Sequence, residues 1–267
     1  SRQLPESNVP VPQYIANGKY LPFPSYDAIH NDQALTEFNG WLPNSNQALI
    51  AWRYIGSQGN VINKESLILW DVEVDQVIVL APDAILGKIS LDGRYLAYLT
   101  RGPAALNDDR TPIEKSGLYP IDLDDLPHAN PIHLQLFDMT SKRVVFSIAS
   151  NIMDFSPNGH YLAFITKGNV QTDDKGILVA DNSTGELSDY LHFFDLIELK
   201  ITRSLKDTPA LPIWSPSGDQ FLYEDISGNV NLFDTNDAES IPITLNVGKY
   251  KVKQMEWSFD GQYFFLM

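Results

Sequence analysis

The sequence predicts an all-β fold built from repeated four-stranded antiparallel units. Three observations predict it. Turn signals recur roughly every ten residues. They include Pro43-Asn44-Ser45, Leu91-Asp92-Gly93, Pro157-Asn158-Gly159, Pro216-Ser217-Gly218 and Phe259-Asp260-Gly261. The runs between them are short and rich in Val, Ile, Leu, Tyr and Phe, which suits half-buried pleated strands. Two short patterns then alternate along the chain, and self-similarity at a fixed period marks a repeat architecture.

The first pattern is an apolar residue, a Ser, a turn pair and an apolar strand. It reads Ile89-Ser90-Leu91-Asp92-Gly93, Phe155-Ser156-Pro157-Asn158-Gly159, Trp214-Ser215-Pro216-Ser217-Gly218 and Trp257-Ser258-Phe259-Asp260-Gly261, with Trp41-Leu42-Pro43-Asn44-Ser45 as a looser first copy. Asp-Gly and Asn-Gly pairs are hairpin signals because both residues tolerate positive φ. The strands that follow match: Arg94-Tyr95-Leu96-Ala97-Tyr98, His160-Tyr161-Leu162-Ala163-Phe164, Gln220-Phe221-Leu222-Tyr223 and Gln262-Tyr263-Phe264-Phe265.

The second pattern is an alternating strand ending in Asp. It reads Leu67-Ile68-Leu69-Trp70-Asp71, Leu134-Gln135-Leu136-Phe137-Asp138, Ile177-Leu178-Val179-Ala180-Asp181 and Val230-Asn231-Leu232-Phe233-Asp234. Each carboxylate can accept nearby backbone N–H groups and start a turn. A further strand follows, clearest at 76–80, 143–148 and 241–245. The unit is therefore a four-stranded meander. Repeats of about 40–45 residues built this way are β-propeller blades. Four full blades and a partial fifth are expected over residues 38–267. The segment 188–205 stays open. Tyr190, Leu191, Phe194, Ile197 and Ile201 suit a helical stripe, yet part of the segment also alternates as a strand does.

The Trp/Phe-Ser-Pro-Asp/Asn-Gly-x-Tyr-Leu-Ala pattern resembles the WD40-like repeat of TolB-type propellers. It also resembles propellers attached to prolyl-oligopeptidase-type enzymes. The sequence departs from true WD40 repeats in lacking a Gly-His dipeptide before each unit and in having Trp-Asp once, at Trp70-Asp71. The resemblance implies an architecture and leaves function open, because propellers host many unrelated activities.

Insertions mark where repeats have diverged. Blade 2 carries about 20 extra residues between its second and third strands, within 101–130. With Asp181 closing the third strand of blade 3, the connection to blade 4 is about 15 residues longer than its counterparts, near 192–211. In an up-and-down meander both kinds of connection emerge on one face. Functional residues concentrate on loops over rigid scaffolds, so this face is the expected partner surface. Its candidate residues are Arg110, Tyr119 and His128 in the first insertion and His192, Phe193 and Phe194 in the second. The first insertion also holds Asp108, Asp109, Asp122, Asp124 and Asp125. The Gly and closing Glu of a calcium loop are missing there, so it reads as a solvated acidic loop.

Composition narrows the function classes. The chain is 43% hydrophobic and 11% aromatic, too apolar for disorder. No run approaches the ~18 apolar residues of a membrane span, so the chain reads as soluble. A net charge of −15 disfavours nucleic acid and anionic membrane as partners. The absence of cysteine removes thiolate zinc sites and cysteine nucleophiles. It also leans the location towards an extracytoplasmic space, periplasmic or cell-surface, without fixing the compartment. No Gly-x-Ser-x-Gly elbow, His-Glu-x-x-His spacing or Gly-rich phosphate loop is present. No catalytic residue, metal or cofactor is therefore expected.

Residues 1–37 read as a Pro-rich linker with a stretch, Tyr14 to Ile29, that can supply a ring-closing strand. The apolar end at Tyr263-Phe264-Phe265-Leu266-Met267 leads to the expectation of a fragment or of a modular or lipoprotein-like chain. The sequence thus points to a non-enzymatic propeller scaffold that binds another protein. The alternatives are the propeller portion of a larger prolyl-oligopeptidase-like hydrolase, or a five-bladed glycan-active propeller using Asp154 and Glu256.

Overall fold

The structure is a computed structural model. It describes residues 13–16, 19–21, 33–43, 45–55, 64–71, 73–74, 76–82, 84–101, 110, 132–172, 178–180, 188–235, 243–245 and 252–267. These residues are all-β. The chain divides into two units: Ser1–Gly87 with Ser116–Ala129, and Lys88–Lys115 with Asn130–Met267.

The first unit holds a six-stranded sheet. Strands β3 (Gln33–Trp41), β4 (Gln47–Ile55), β5 (Lys64–Asp71) and β6 (Gln76–Pro82) form an antiparallel meander. Two short strands, β1 (Gln13–Ala16) and β2 (Lys19–Leu21), extend its outer edge, β1 pairing parallel with β6. Leu49, Leu67 and Leu69 are buried in this sheet.

The division between units falls inside β7 (Ala84–Ile89), which opens the second meander with β8 (Tyr95–Arg101), β9 (Ile132–Asp138) and β10 (Arg143–Ala149). The third is β11 (Met153–Phe155), β12 (Tyr161–Lys167), β15 (Asp189–Asp195) and β16 (Lys200–Lys206). A hairpin, β13 (Val170–Thr172) and β14 (Leu178–Ala180), is inserted between β12 and β15. The fourth meander is β17 (Ile213–Trp214), β18 (Gln220–Glu224), β19 (Val230–Asp234) and β20 (Ile243–Leu245). A last pair, β21 (Met255–Trp257) and β22 (Phe264–Leu266), follows.

Blade 3 corrects the sequence reading in two places. Its third strand closes at Asp195, and Ala180 just before Asp181 belongs to the inserted hairpin. The segment 192–211 is therefore no excursion between blades, because most of it is the third and fourth strands of blade 3. The open question over 188–205 resolves to two strands. With Asp195 in place, the distance from the Asp to the next Gly turn agrees with blades 1 and 2 to within two residues.

Both patterns have a physical basis. In the first, the Ser closes the turn. The Ser90 hydroxyl accepts the Tyr95 N–H at 2.9 Å and donates to Asp92 at 2.6 Å. Ser156 does the same with Tyr161 and Asn158, and Ser258 with Tyr263 and Asp260. The Gly that follows sits at φ between 70° and 75° in all four copies, where a Cβ is disfavoured. In the second, Asp138 Oδ1 accepts the N–H groups of Thr140 and Ser141, and Asp195 Oδ1 those of Ile197 and Glu198. Burial pushes the Asp138 carboxyl up. The Thr140 and Ser141 amides and the Arg94 guanidinium outweigh this and hold it below the usual carboxylate range.

These motifs also fix register. The first residue of the second strand faces the Asp of the third in four blades: Gln47 with Asp71, Tyr95 with Asp138, Tyr161 with Asp195 and Gln220 with Asp234. A one-residue slip would turn every apolar side chain to the wrong face.

A polar triad runs across strands two, three and four of three blades. In blade 3 the His192 ring bridges Thr166 at 2.8 Å and Ser204 at 2.7 Å. In blade 2 the equivalent residues are Thr100, Gln135 and Ser147; Gln135 donates to Thr100 at 3.1 Å, while the Gln135 Oε1 and Ser147 Oγ atoms are buried without a partner. In blade 4 they are Asp225, Asn231 and Thr244, with Thr244 donating to Asn231 at 2.8 Å. Blade 1 places Ile68 at the central position. Polar groups buried at the middle of a blade are stabilising only while hydrogen-bonded.

Candidate interaction surface

In each meander, strand one to two and strand three to four turn at one end, and strand two to three at the other. Blade 4 makes the second-to-third connection short. Asp225 folds onto the N–H groups of Ser227 and Asn229, and Ile226 stands 71% exposed at the tip. Blades 2 and 3 both enlarge this same connection, to 102–131 and 168–188. Adjacent blades thus carry both insertions at one end of their strands.

The described parts of both insertions meet one strand. The β13–β14 hairpin buries Val170 and Leu178, and β14 packs against β10 of blade 2. From the blade 2 insertion, the Arg110 carbonyl accepts the Val144 N–H at 3.1 Å. The Arg110 guanidinium donates to the Val145 carbonyl at 3.4 Å. Val145 is the residue bulged out of the β9–β10 ladder, so Arg110 pairs the backbone of an outer strand where it is irregular.

The candidate partner residues separate on this geometry. Arg110 engages β10. Tyr119 and His128 lie outside the described residues. His192, Phe193 and Phe194 are 0%, 3% and 2% exposed. As residues of β15 they are core, which corrects their placement in an inserted connection. The ring of Phe194 packs on Phe146 at 4.9 Å and that of Phe193 on Phe221 at 4.6 Å, so one strand joins blade 3 to blades 2 and 4. The inserted hairpin itself escaped the sequence reading. Its signal was the Asp-to-Gly spacing, which only Asp195 satisfies.

The innermost strands carry Lys88, Asp154 and Glu256 at equivalent places. Asp154 pairs with Lys88 at 2.6 Å, both partly exposed, and Glu256 is exposed. An ion pair open to solvent contributes little. Lys88→Met is expected to change stability by less than about 1 kcal/mol in urea denaturation. No group of three or more His, Asp or Glu side chains able to hold a metal occurs among the described residues. Among the same residues no helix is long and apolar enough to cross a membrane.

The Ser-closed turn and the Asp register recur together from blade to blade. The repeats are four-stranded antiparallel meanders, the blades of a β-propeller fold. No family model and no curated protein matches the chain. Solved structures do. The Dos1 propeller shares 13% identity over 93% of this chain and 56% of its own, at a TM-score of 0.45. Acylaminoacyl peptidase of Pyrococcus horikoshii shares 11% over 82% of this chain and 33% of its own, at 0.48. Sqt1 of Chaetomium thermophilum, bound to the N-terminus of ribosomal protein L10, shares 14% over 79% of this chain and 49% of its own, at 0.39. The chain thus spans between a third and somewhat over half of these proteins. Likeness at this level carries no ligand, partner or activity across.

Proposed function

We propose that the chain is a propeller scaffold that binds another protein through the face bearing its inserted second-to-third connections. One observation carries this reading: adjacent blades enlarge the same connection, and both enlargements reach the same outer strand, β10. Insertions confined to one end of a repeat array often form its binding face. The partner segment comprises 102–131 and the β13–β14 hairpin, and replaces the earlier assignment to 192–211.

Replacing 168–188 by a short Gly-Ser turn is expected to leave the blades folded, because β12 and β15 pair directly beyond it. It is expected to remove a defined set of proteins recovered by crosslinking and affinity purification from the source cells. Replacing 102–131 is expected to remove the same set. If both variants recover every partner of the parent protein, the face is wrongly assigned. Turnover of a peptide or glycan substrate by the purified chain, lost in Asp154→Asn, overturns the non-catalytic reading itself.

A further inference from the structure

At the hairpin-turn end of the second unit, opposite the inserted connections, an apolar row stands in solvent. The residue directly after the Ser of each Ser-closed turn is Leu91, Pro157, Pro216 or Phe259. All four are exposed, Leu91 at 63% and Phe259 at 100%. The turns touch from blade to blade. A Cβ on Gly159 would stand 3.2 Å from Leu91, one on Gly218 2.7 Å from Asn158 and one on Gly261 3.4 Å from Pro216. The row therefore runs without a gap from blade 2 to blade 5. The turn itself explains the two prolines, whose fixed φ suits its second residue. It explains neither Leu91 nor Phe259.

On blade 3 the apolar surface widens. The Leu196 N–H donates to the His160 carbonyl at 2.9 Å, which ties the outer turn to the inner one. In that outer turn Ile197 is 71% and Leu199 44% exposed, and Leu199 sits at φ 53°. A leucine enters that region only under strain. The same two places in blade 2 hold Thr140 and Lys142, so the turn geometry does not call for aliphatic residues. Exposed apolar residues scattered singly are ordinary, whereas contiguous ones mark an interaction surface.

We propose that this row is a second docking surface, and that its occupant is a basic segment of a partner protein bearing large apolar side chains. Charge selects that occupant. Asp92, Asp219 and Asp260 stand in the same inner turns as the apolar residues. The one cation there, Arg94, is held by Asp138 at 3.3 Å and lies over the Tyr95 ring. The Ser258 hydroxyl and the Gln262 amide hold the Asp260 carboxyl below the usual carboxylate range, so it is ionised at neutral pH. In the outer turns Lys200 is paired with Glu198 at 2.6 Å, and Lys142 and Arg143 are confined to blade 2. Among the described turn residues of blades 3 to 5, no Lys or Arg stands outside an ion pair, against Asp195, Asp219, Asp234 and Asp260. A second copy of the chain is the wrong occupant, because two such ends would bring like charges together. A basic segment meets opposite charge around an apolar centre, the usual anatomy of a protein interface.

Fluorescence polarisation with three short synthetic peptides tests the surface: one alternating Lys and Leu, one Glu and Leu, one Lys and Ser. The Lys-Leu peptide is expected to bind at least ten-fold more tightly than either of the others, a factor equal to about 1.4 kcal/mol. Leu91→Ser combined with Phe259→Ser is expected to erase its advantage over the Lys-Ser peptide, with an unchanged urea midpoint because both side chains are exposed. Asp92→Asn combined with Asp260→Asn copies Asn158, which accepts the Ser156 hydroxyl and the His160 N–H, so the turns stay closed. That pair is expected to weaken Lys-Leu binding at low salt and to flatten its salt dependence. Undiminished Lys-Leu binding in both double variants, or a Glu-Leu peptide bound as tightly, overturns the proposal. So does a dimer of the parent chain in sedimentation that dissolves in the Leu91→Ser, Phe259→Ser variant, which would give the row to a second copy. Replacing 168–188 is expected to leave the peptide affinities unchanged. Their loss there would place the peptide on the inserted face and overturn this surface without touching the scaffold reading.

Discussion

His192→Ala is expected to cost about 3–5 kcal/mol. The ring is fully buried and holds two hydroxyls on neighbouring strands. Truncation leaves a cavity and orphans Ser204, while Thr166 retains its bond to the Gly168 carbonyl at 2.7 Å. Because the Thr166 proton is committed there, His192 carries its hydrogen on Nε2 and accepts from Ser204 at Nδ1. The ring is thus neutral. Burial holds its pKa down to about 4, against a partial opposing pull from the Gly168 carbonyl. The unfolded chain, with an ordinary histidine near 6.5, takes up the proton first. Stability is therefore full above pH 6.5 and falls by about 3 kcal/mol as pH drops towards 4, below which this residue has no further effect. His192→Gln copies what blade 2 does with Gln135 and Thr100. It is expected to recover part of the stability lost in His192→Ala, since Gln135 in blade 2 leaves its serine unpartnered, and to abolish the slope between pH 6.5 and 4.5. Urea denaturation of both proteins across that range measures the difference. Equal slopes in parent and variant would show that His192 is not the titrating group.

The blades were legible in the sequence because their turns are chemically specific. Ser followed by a turn pair and Gly allows few geometries, and an Asp closing an alternating strand allows few others. Blade 3 misled because Ile177–Asp181 satisfies the second pattern locally. Nothing within five residues distinguishes it from a third strand; the separation of Asp195 from Gly218 does. The true third strand hides for a different reason. Strand β15 is covered on both faces, by blade 2 at Phe194 and by blade 4 at Phe193, so neither of its faces is polar there. Four consecutive residues, Leu191 to Phe194, are buried. Such a run carries neither helical nor strand periodicity. Placing it on a loop made it a candidate for the partner surface. The candidate surface was legible only in part, since loop length is visible in a sequence but contact with β10 depends on tertiary packing.

Gly218→Ala is expected to destabilise by about 2–4 kcal/mol, and the cause lies in the neighbouring blade. Gly218 sits at φ 75°, so any side chain there incurs about 1 kcal/mol or more of backbone strain. A Cβ would also stand 2.7 Å from the backbone nitrogen of Asn158, in the corresponding turn of blade 3. Backbone cannot swing aside as a side-chain tip can. The same nesting recurs with looser contacts. A Cβ on Gly159 would meet Leu91 Cβ at 3.2 Å, and one on Gly261 would meet Pro216 at 3.4 Å. Gly228 has φ 80° but nothing closer than a Glu224 carboxylate oxygen at 3.5 Å, so its alanine variant isolates the backbone strain. The expected order of destabilisation is Gly218, Gly159, Gly261 and Gly228, read by urea denaturation with unchanged m-values. Asn158→Gly in the Gly218→Ala background separates the two contacts. It removes the side-chain clashes at 2.7 and 2.9 Å but leaves the backbone nitrogen in place. Rescue is therefore expected to be partial. Full rescue would mean that the turns of blades 3 and 4 approach through side chains alone, and that the glycine is kept for its φ rather than for the closeness of the blades.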